Sequence, residues 1–277
     1  MKMLTAIFQQ LPETVETYRP VVGGDINQSY YVKTTQNEYI LKVHPHMHRG
    51  FFQAEIDGLK ALKQAVRVPR VVASGQTELA GWLLLEWIEP GSGAAFQLGQ
   101  ELAKLHQITH TSFGFETDNY IGILPQSNTW QADWVTFFIQ QRLKPQVQFA
   151  HERHVWHAGR EAKFQKLIQT IENEWAHDQT PSLLHGDLWS GNTMYSQNGQ
   201  PVFLDPAAFY GDRELDIAMS QLFGGFTEEF LQGYQAAYPL AEGWQQRLPT
   251  YQLYYALAHL NMFGESYGTL VDTLLEG

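Results

Sequence analysis

The chain has 277 residues, 44% hydrophobic and 17% charged, which is enough apolar material for one large or two-lobed core and excludes a disordered chain. It contains no cysteine, so disulfides and thiolate metal sites are excluded. A formal net charge of −11 without a basic cluster argues against a nucleic-acid partner, because a uniformly acidic surface repels polyanions.

From the N-terminus, Met1 to Gln10 carries too short an apolar run for a secretory signal. No later run approaches the length of a membrane span, so no membrane partner is expected and the cytoplasm is the expected compartment. Tyr18 to Gly23 reads as a short strand ending at Gly23-Gly24. Ser29 to Thr35 and Glu38 to Val43 are β-rich segments around a Thr35-Gln36-Asn37 turn. In the second of these, alternation puts Tyr39, Leu41 and Val43 on one face and Ile40 and Lys42 on the other. Residues 51–65 suit an amphipathic helix with Phe52, Ile56, Leu59 and Leu62 on one side.

Two more strands are expected around Arg70 to Ala73 and Trp82 to Ile88, and Pro90-Gly91-Ser92-Gly93 is the clearest break in the chain. Helices then dominate. Phe96 to His106 has Leu98, Leu102 and Leu105 at helical spacing; residues 131–149 and 159–176 follow, and helices resume near 213, 227 and 245 after two short strands. The expected fold is α+β and two-lobed, of the protein-kinase type. Residues 1–89 would form a small β-rich nucleotide-binding lobe with one helix, and residues 90–277 a larger, mainly helical lobe for catalysis and substrate binding.

The strongest chemical signal is Leu184-His185-Gly186-Asp187-Leu188-Trp189-Ser190-Gly191-Asn192, followed by Val202-Phe203-Leu204-Asp205-Pro206. Asp187 and Asn192 are five apart, and Asp205 lies thirteen beyond Asn192. That layout matches a kinase catalytic loop and its metal-binding strand. One carboxylate, Asp187, takes the proton of an acceptor hydroxyl, while the amide of Asn192 and the carboxylate of Asp205 hold Mg²⁺ on the phosphates of ATP. Phosphoryl transfer is mostly positioning and charge neutralisation, so three oxygen-bearing side chains at fixed offsets supply much of the chemistry.

A lysine among apolar strand residues is costly to bury without a counter-charge. For Lys42 the expected partners are the α/β-phosphates of ATP and the carboxylate of Glu55, thirteen residues later. Gly23 and Gly24 sit where a phosphate-covering loop belongs, since tandem glycines let backbone N–H groups approach phosphate. Leu84 to Ile88 precedes the break, where kinases bind the adenine edge through backbone groups. Residues 42, 55, 187, 192 and 205 are thus expected to converge on one triphosphate.

His185 to Asn192, with Asp205-Pro206-Ala207 and Phe209-Tyr210-Gly211, is similar to the fructosamine kinase (ketosamine 3-kinase) family, part of the aminoglycoside phosphotransferase and choline kinase superfamily. Further likeness lies in Gly122 to Gln126, Trp130 to Phe138, Leu222 to Phe226 and Tyr251 to Tyr254, so it covers almost the whole chain. The resemblance implies a phosphotransferase with an alcohol group as acceptor. It would use ATP to phosphorylate the third sugar carbon of free or protein-linked ribulosamines, erythrulosamines and fructosamines. The product eliminates phosphate and frees the amine, which is deglycation repair. By the same carry-over Asp187 is the base, Asn192 and Asp205 hold metal, and Glu86, Trp87 and Ile88 form the adenine-binding hinge. Many members carry a cysteine in the glycine-rich loop, whereas Asp25 stands about there in this chain, so thiol-based redox control is absent.

Aromatic faces stack on sugar C–H surfaces and carboxylates attract ammonium groups, which makes Trp130 and Asp133 candidate substrate contacts and leaves Phe137 and Phe138 as core. Asp216 could brace the catalytic loop or cap a helix. His185 is expected to fix that loop by hydrogen bonds. His44, His46 and His48, and His151, His154 and His157, lack helper ligands at a recognised spacing and are read as surface. The alternative enzyme is an aminoglycoside- or choline-type phosphotransferase. The presence together of Lys42, Glu55, Asp187, Asn192 and Asp205 argues against an inactive kinase scaffold. No feature of the sequence speaks to oligomeric state.

Overall fold

The structure is a computed structural model describing residues 2–21, 27–45, 49–175 and 179–276. In chain order its elements are α1 (Lys2–Phe8), β1 (Val15–Val21), β2 (Gln28–Thr34), β3 (Glu38–Pro45), α2 (Arg49–Leu62), β4 (Val71–Gln76), β5 (Ala80–Glu86) and α3 (Ala95–His106). Then come β6 (Asn119–Ile121), β7 (Leu124–Gln126), α4 (Trp134–Phe137), a π-helical turn over Phe138–Leu143, α5 (Lys144–Glu152) and α6 (Ala158–Glu174). The short strands β8 (Ser182–Leu184), β9 (Thr193–Tyr195), β10 (Pro201–Phe203) and β11 (Phe209–Gly211) precede α7 (Glu214–Leu222), α8 (Glu228–Ala237), α9 (Trp244–Phe263) and α10 (Gly268–Leu274). Among the described residues no helix is long and apolar enough to cross a membrane.

Two compact units result. One is Met1–Ala94 with Gly191–Pro206, and the other is Ala95–Ser190 with Ala207–Gly277. Chain order alone placed 191–206 in the C-terminal lobe. Backbone hydrogen bonds explain its place in the first unit. Gly91 N–H donates to Tyr195 C=O at 2.8 Å, Phe203 N–H donates to Arg67 C=O at 2.9 Å, and Pro90 bridges Ser196.

In the first unit five antiparallel strands run in the order β1-β2-β3-β5-β4. The alternation expected in β3 is present. Tyr39, Leu41 and Val43 are buried at 3%, 0% and 0% exposure and pack with Val32, Trp82 and Leu84 beneath Leu4 and Ile7 of α1. That face is a dry core, each large apolar side chain contributing roughly 1.5–3 kcal/mol by leaving water. Lys42 is consequently turned to the opposite face. Helix α2 buries Phe52, Ile56, Leu59 and Leu62, the face expected from the sequence.

In the second unit α3 and α8 meet at two glycines. A Cβ on Gly99 would lie 1.9 Å from Phe230 O, and one on Gly233 would lie 2.0 Å from Phe96 O. Only glycine lets the two backbones come this close. The expected helix over 131–149 is instead α4, the π turn and α5. Pro145 has no N–H for the carbonyl of Gln141, four residues earlier, and Arg142 Nη1 fills that need at 3.0 Å. Arg142 is fully buried between the rings of Phe137 and Phe209, 4.6 and 4.0 Å from their centroids, and burial pulls its guanidinium down to about 10. Phe137 and Phe138 are core, as expected, both at 0% exposure.

Candidate active site

Within the first unit, Lys42 leaves β3 on the face away from the dry core and reaches two carboxylates. Its Nζ donates to Glu55 Oε1 at 2.7 Å and also to Asp205 Oδ1. Lys42 is buried, while the Asp205 side chain remains 41% exposed. Asp205 follows β10 with a left-handed φ of +53°, a conformation Asp tolerates better than most residues. Asn192 belongs to the same segment, with Leu204 N–H donating to its C=O at 2.9 Å. Residues far apart in sequence therefore form one cluster: Lys42, Glu55 and Asp205, with Asn192 just before β9.

One ammonium between two carboxylates leaves a surplus negative charge. Burial disfavours the charged Lys42, but Asp205 and then Glu55 overcome it and raise its pKa above the ordinary lysine value. Burial pushes the Glu55 carboxyl up to about 7, with Lys42 opposing and Asp205 adding repulsion. The two shifts oppose each other, since Lys42 is held charged while Glu55 is drawn toward its neutral form. The cost of the surplus charge falls on the more deeply buried carboxylate, Glu55, which is therefore the one drawn toward protonation. A second cation near Asp205 would relieve it.

Within the second unit the loop that carries Asp187, the candidate catalytic loop, is held by its backbone. Asp216, in the first turn of α7, accepts from His185 N–H at 2.6 Å and Gly186 N–H at 2.9 Å. Tyr255 of α9 donates to Gly186 C=O at 2.9 Å, and Ala207 N–H donates to His185 C=O at 2.9 Å. The buried His185 ring accepts from Asp187 N–H through Nδ1 at 3.2 Å. Of the two roles open to Asp216, the structure shows the brace. Asp187 sits at the tip of this turn, half-buried, its C=O accepting from Trp189 N–H at 3.1 Å.

Gly186 has φ +82°, and a Cβ there would lie 2.1 Å from Ala207 O. Gly186→Ala is expected to lower stability by at least about 1–2 kcal/mol from φ alone, with the backbone clash adding to it. Urea unfolding checks this, and an unchanged midpoint would contradict the described turn.

The hinge candidates lie at the end of β5. The Glu86 carboxylate accepts from Arg67 Nη1 at 2.8 Å and Arg70 N–H at 2.7 Å, so that side chain braces the sheet. Trp87 N–H donates to Glu38 C=O at 3.1 Å, and its indole N–H donates to Glu89. Gly23 and Gly24 lie outside the described residues, as do His46 and His48.

The two substrate candidates receive a different physical account. Asp133 is the N-cap of α4, accepting from Thr136 N–H at 2.6 Å. Trp130 stacks on His110 at 4.3 Å, and His110 N–H donates to Pro181 C=O at 2.9 Å. Trp130 also lies 6.1 Å from the Tyr210 ring of β11. Sequence reasoning missed His106, Tyr234 and Tyr255, which support the loop from α3, α8 and α9. Their one visible trace is a polar group on a buried helical face, His106 lying next to Leu102 and Leu105.

The chain matches the fructosamine kinase family over residues 2–277. A protein of Enterococcus faecium named "probable ketoamine kinase" is 54% identical over 261 residues, covering 93% of each chain. A crystal structure from Thermobifida fusca bearing a fructosamine-3-kinase name superposes with a TM-score of 0.89 at 30% identity, covering 100% of this chain and 98% of the other. The choline kinase of Streptococcus pneumoniae shares the fold at a TM-score of 0.69 and 17% identity, covering 99% of this chain and 97% of its own. The expected two-lobed α+β architecture is therefore the kinase-like fold of that group, and the chain belongs to the fructosamine kinase family.

Proposed function

We propose that this chain is an ATP-dependent ketosamine 3-kinase, and the observation that carries the proposal is the buried Lys42 held between Glu55 and Asp205. A charged lysine fixed in that way is suited to the oxygens of a triphosphate, and an exposed carboxylate beside it is suited to a metal bound to the same oxygens. Family membership adds the acceptor class, a ketosamine. Asp187 would accept the proton of the sugar hydroxyl. The hydroxyl oxygen would bond to the γ-phosphorus as the bond to the bridging oxygen breaks, and that electron pair leaves with ADP. The product is a ketosamine 3-phosphate, which eliminates phosphate and releases the amine.

Mg²⁺ fits the residues present. It takes one or two protein carboxylates together with phosphate oxygens, and Asp205 already has a cationic partner in Lys42. Asn192 and Asp205 would hold it, and it would supply charge neutralisation on the phosphates. Gly23 and Gly24 are proposed to cover the phosphates and Glu86 to Ile88 to meet the adenine through backbone groups. Free or protein-linked ketosamines in the cytoplasm are the proposed acceptors.

The test is ADP release with ribulosamine, erythrulosamine and fructosamine adducts, beside aminoglycosides and choline, with the phosphorylated carbon located by NMR. Turnover on a ketosamine at its third carbon is expected. No turnover on any ketosamine would end this proposal, and turnover on choline or an antibiotic instead would favour the alternative phosphotransferase.

A further inference from the structure

A chain of hydrogen bonds inside the second unit runs from a surface-anchored arginine to the catalytic loop, and donor chemistry fixes its direction. Arg213 sits just before α7, its guanidinium 3.8 Å from the Tyr238 ring centroid and donating to Tyr238 C=O at 2.8 Å and to Pro239 C=O. Its Nη1 also contacts the Tyr234 hydroxyl at 3.1 Å. That hydroxyl lies 2.8 Å from His106 Nδ1, and His106 Nε2 lies 3.1 Å from Asp216 Oδ2. Asp216 accepts the amides of His185 and Gly186. His106, Tyr234 and Asp216 are all fully buried.

For a neutral imidazole bonded to a carboxylate, each link admits one polarity. A guanidinium only donates, so the Tyr234 oxygen accepts from Arg213 and its own proton is left for His106 Nδ1. An ionised carboxylate only accepts, so the bond to Asp216 needs a proton on Nε2. Nδ1 accepts and Nε2 donates, which defines one neutral tautomer of His106.

We propose that Tyr234 is a positioning residue for phosphoryl transfer: its hydroxyl holds His106 as the neutral Nε2–H tautomer, whose proton steadies Asp216 and so the turn that carries Asp187. This rests on Asp187 being the base, as in the function proposed above. His106 and Tyr234 act through Asp216 and the loop backbone. The glycine contact between α3 and α8 keeps the helices bearing them close enough for the bond.

The arrangement predicts a response to acid. Burial is the largest influence on His106 and lowers its pKa below 6.5, with Asp216 working against it, Arg213 lowering it further and Asp212 raising it. Burial raises the Tyr234 phenol, so it keeps its proton. A base whose folded pKa is depressed is neutral above the ordinary value of 6.5, and its contribution is lost as pH falls from there through the folded value. A protonated Nδ1 would then face the Tyr234 proton, and the chain would break at that link.

The experiment compares wild type with Tyr234→Phe, His106→Ala and His106→Gln, and reads the His106 tautomer by ¹⁵N NMR. Expected in the wild type at neutral pH is a neutral imidazole protonated at Nε2. Tyr234→Phe is expected to lower kcat roughly tenfold to a hundredfold, the scale on which misplaced catalytic groups act, with KM for ATP unchanged and the acid limb moved to higher pH. His106→Gln keeps an N–H for Asp216 but cannot titrate, so it should recover most of the rate lost in His106→Ala and flatten the acid limb. An Nδ1–H or charged His106, or a Tyr234→Phe enzyme with wild-type kcat and pH profile, would overturn the assignment. Should the wild type fail to phosphorylate any ketosamine, the proposed function falls, while the NMR result still decides the tautomer.

Discussion

Asp187→Asn is expected to lower kcat by about two to four orders of magnitude, the range for removing a general base, with ATP affinity and folding stability retained. The loop geometry explains why the loss should be confined to turnover. Two backbone bonds hold Asp187 whatever its side chain: its N–H donates to His185 Nδ1, and its C=O accepts from Trp189 N–H. Asparagine keeps the shape of the side chain but puts an amide N–H where a carboxylate oxygen was, so it loses the charge and the capacity to take a proton. Lys42 bonds both Glu55 and Asp205 without Asp187, so nucleotide binding should survive. Calorimetric titration with ATP and a steady-state assay on the same preparation check both halves. A near-normal rate would remove Asp187 from the base role.

The second large effect is expected at Asp205. Asp205→Ala should lower kcat/KM by roughly a thousandfold or more, since charge neutralisation through a bound metal contributes several kcal/mol and about 1.36 kcal/mol corresponds to tenfold in rate. Alanine also brings a backbone cost, because φ is +53° there and asparagine tolerates that region better. Asp205→Asn therefore separates the two causes. Both variants should lose Mg²⁺-dependent turnover, while only Asp205→Ala should also lose stability. A normal Mg²⁺ titration curve in Asp205→Asn would refute the ligand assignment.

Elements with a local periodic signal were legible in the sequence. The two-residue alternation of β3 placed Lys42 opposite Tyr39, Leu41 and Val43, and the three-to-four spacing of α2 gave its buried face. The spacing of Asp187, Asn192 and Asp205 was equally local, because one loop and one hairpin set it. What escaped was set by distant partners. Helix α1 is seven residues long, too short for a periodic signal, and is identified by the sheet it covers. The place of 191–206 follows from backbone bonds to Arg67 and Gly91, which no side chain announces. Asp133 and Trp130 were singled out for their chemistry, while their cap and ring stack were not visible in the sequence. His106 and Tyr234 lie 128 positions apart on faces that otherwise read as ordinary apolar helix.

The meeting of Gly99 and Gly233 gives this enzyme an unusual vulnerability. Side chains between helices act as a cushion, since a rotamer change can absorb an added methyl, but here main chain presses on main chain and no cushion exists. Gly99→Ala should therefore part the helices as rigid rods. The injury should register as altered sensitivity to acid in a reaction that the mutated position never touches.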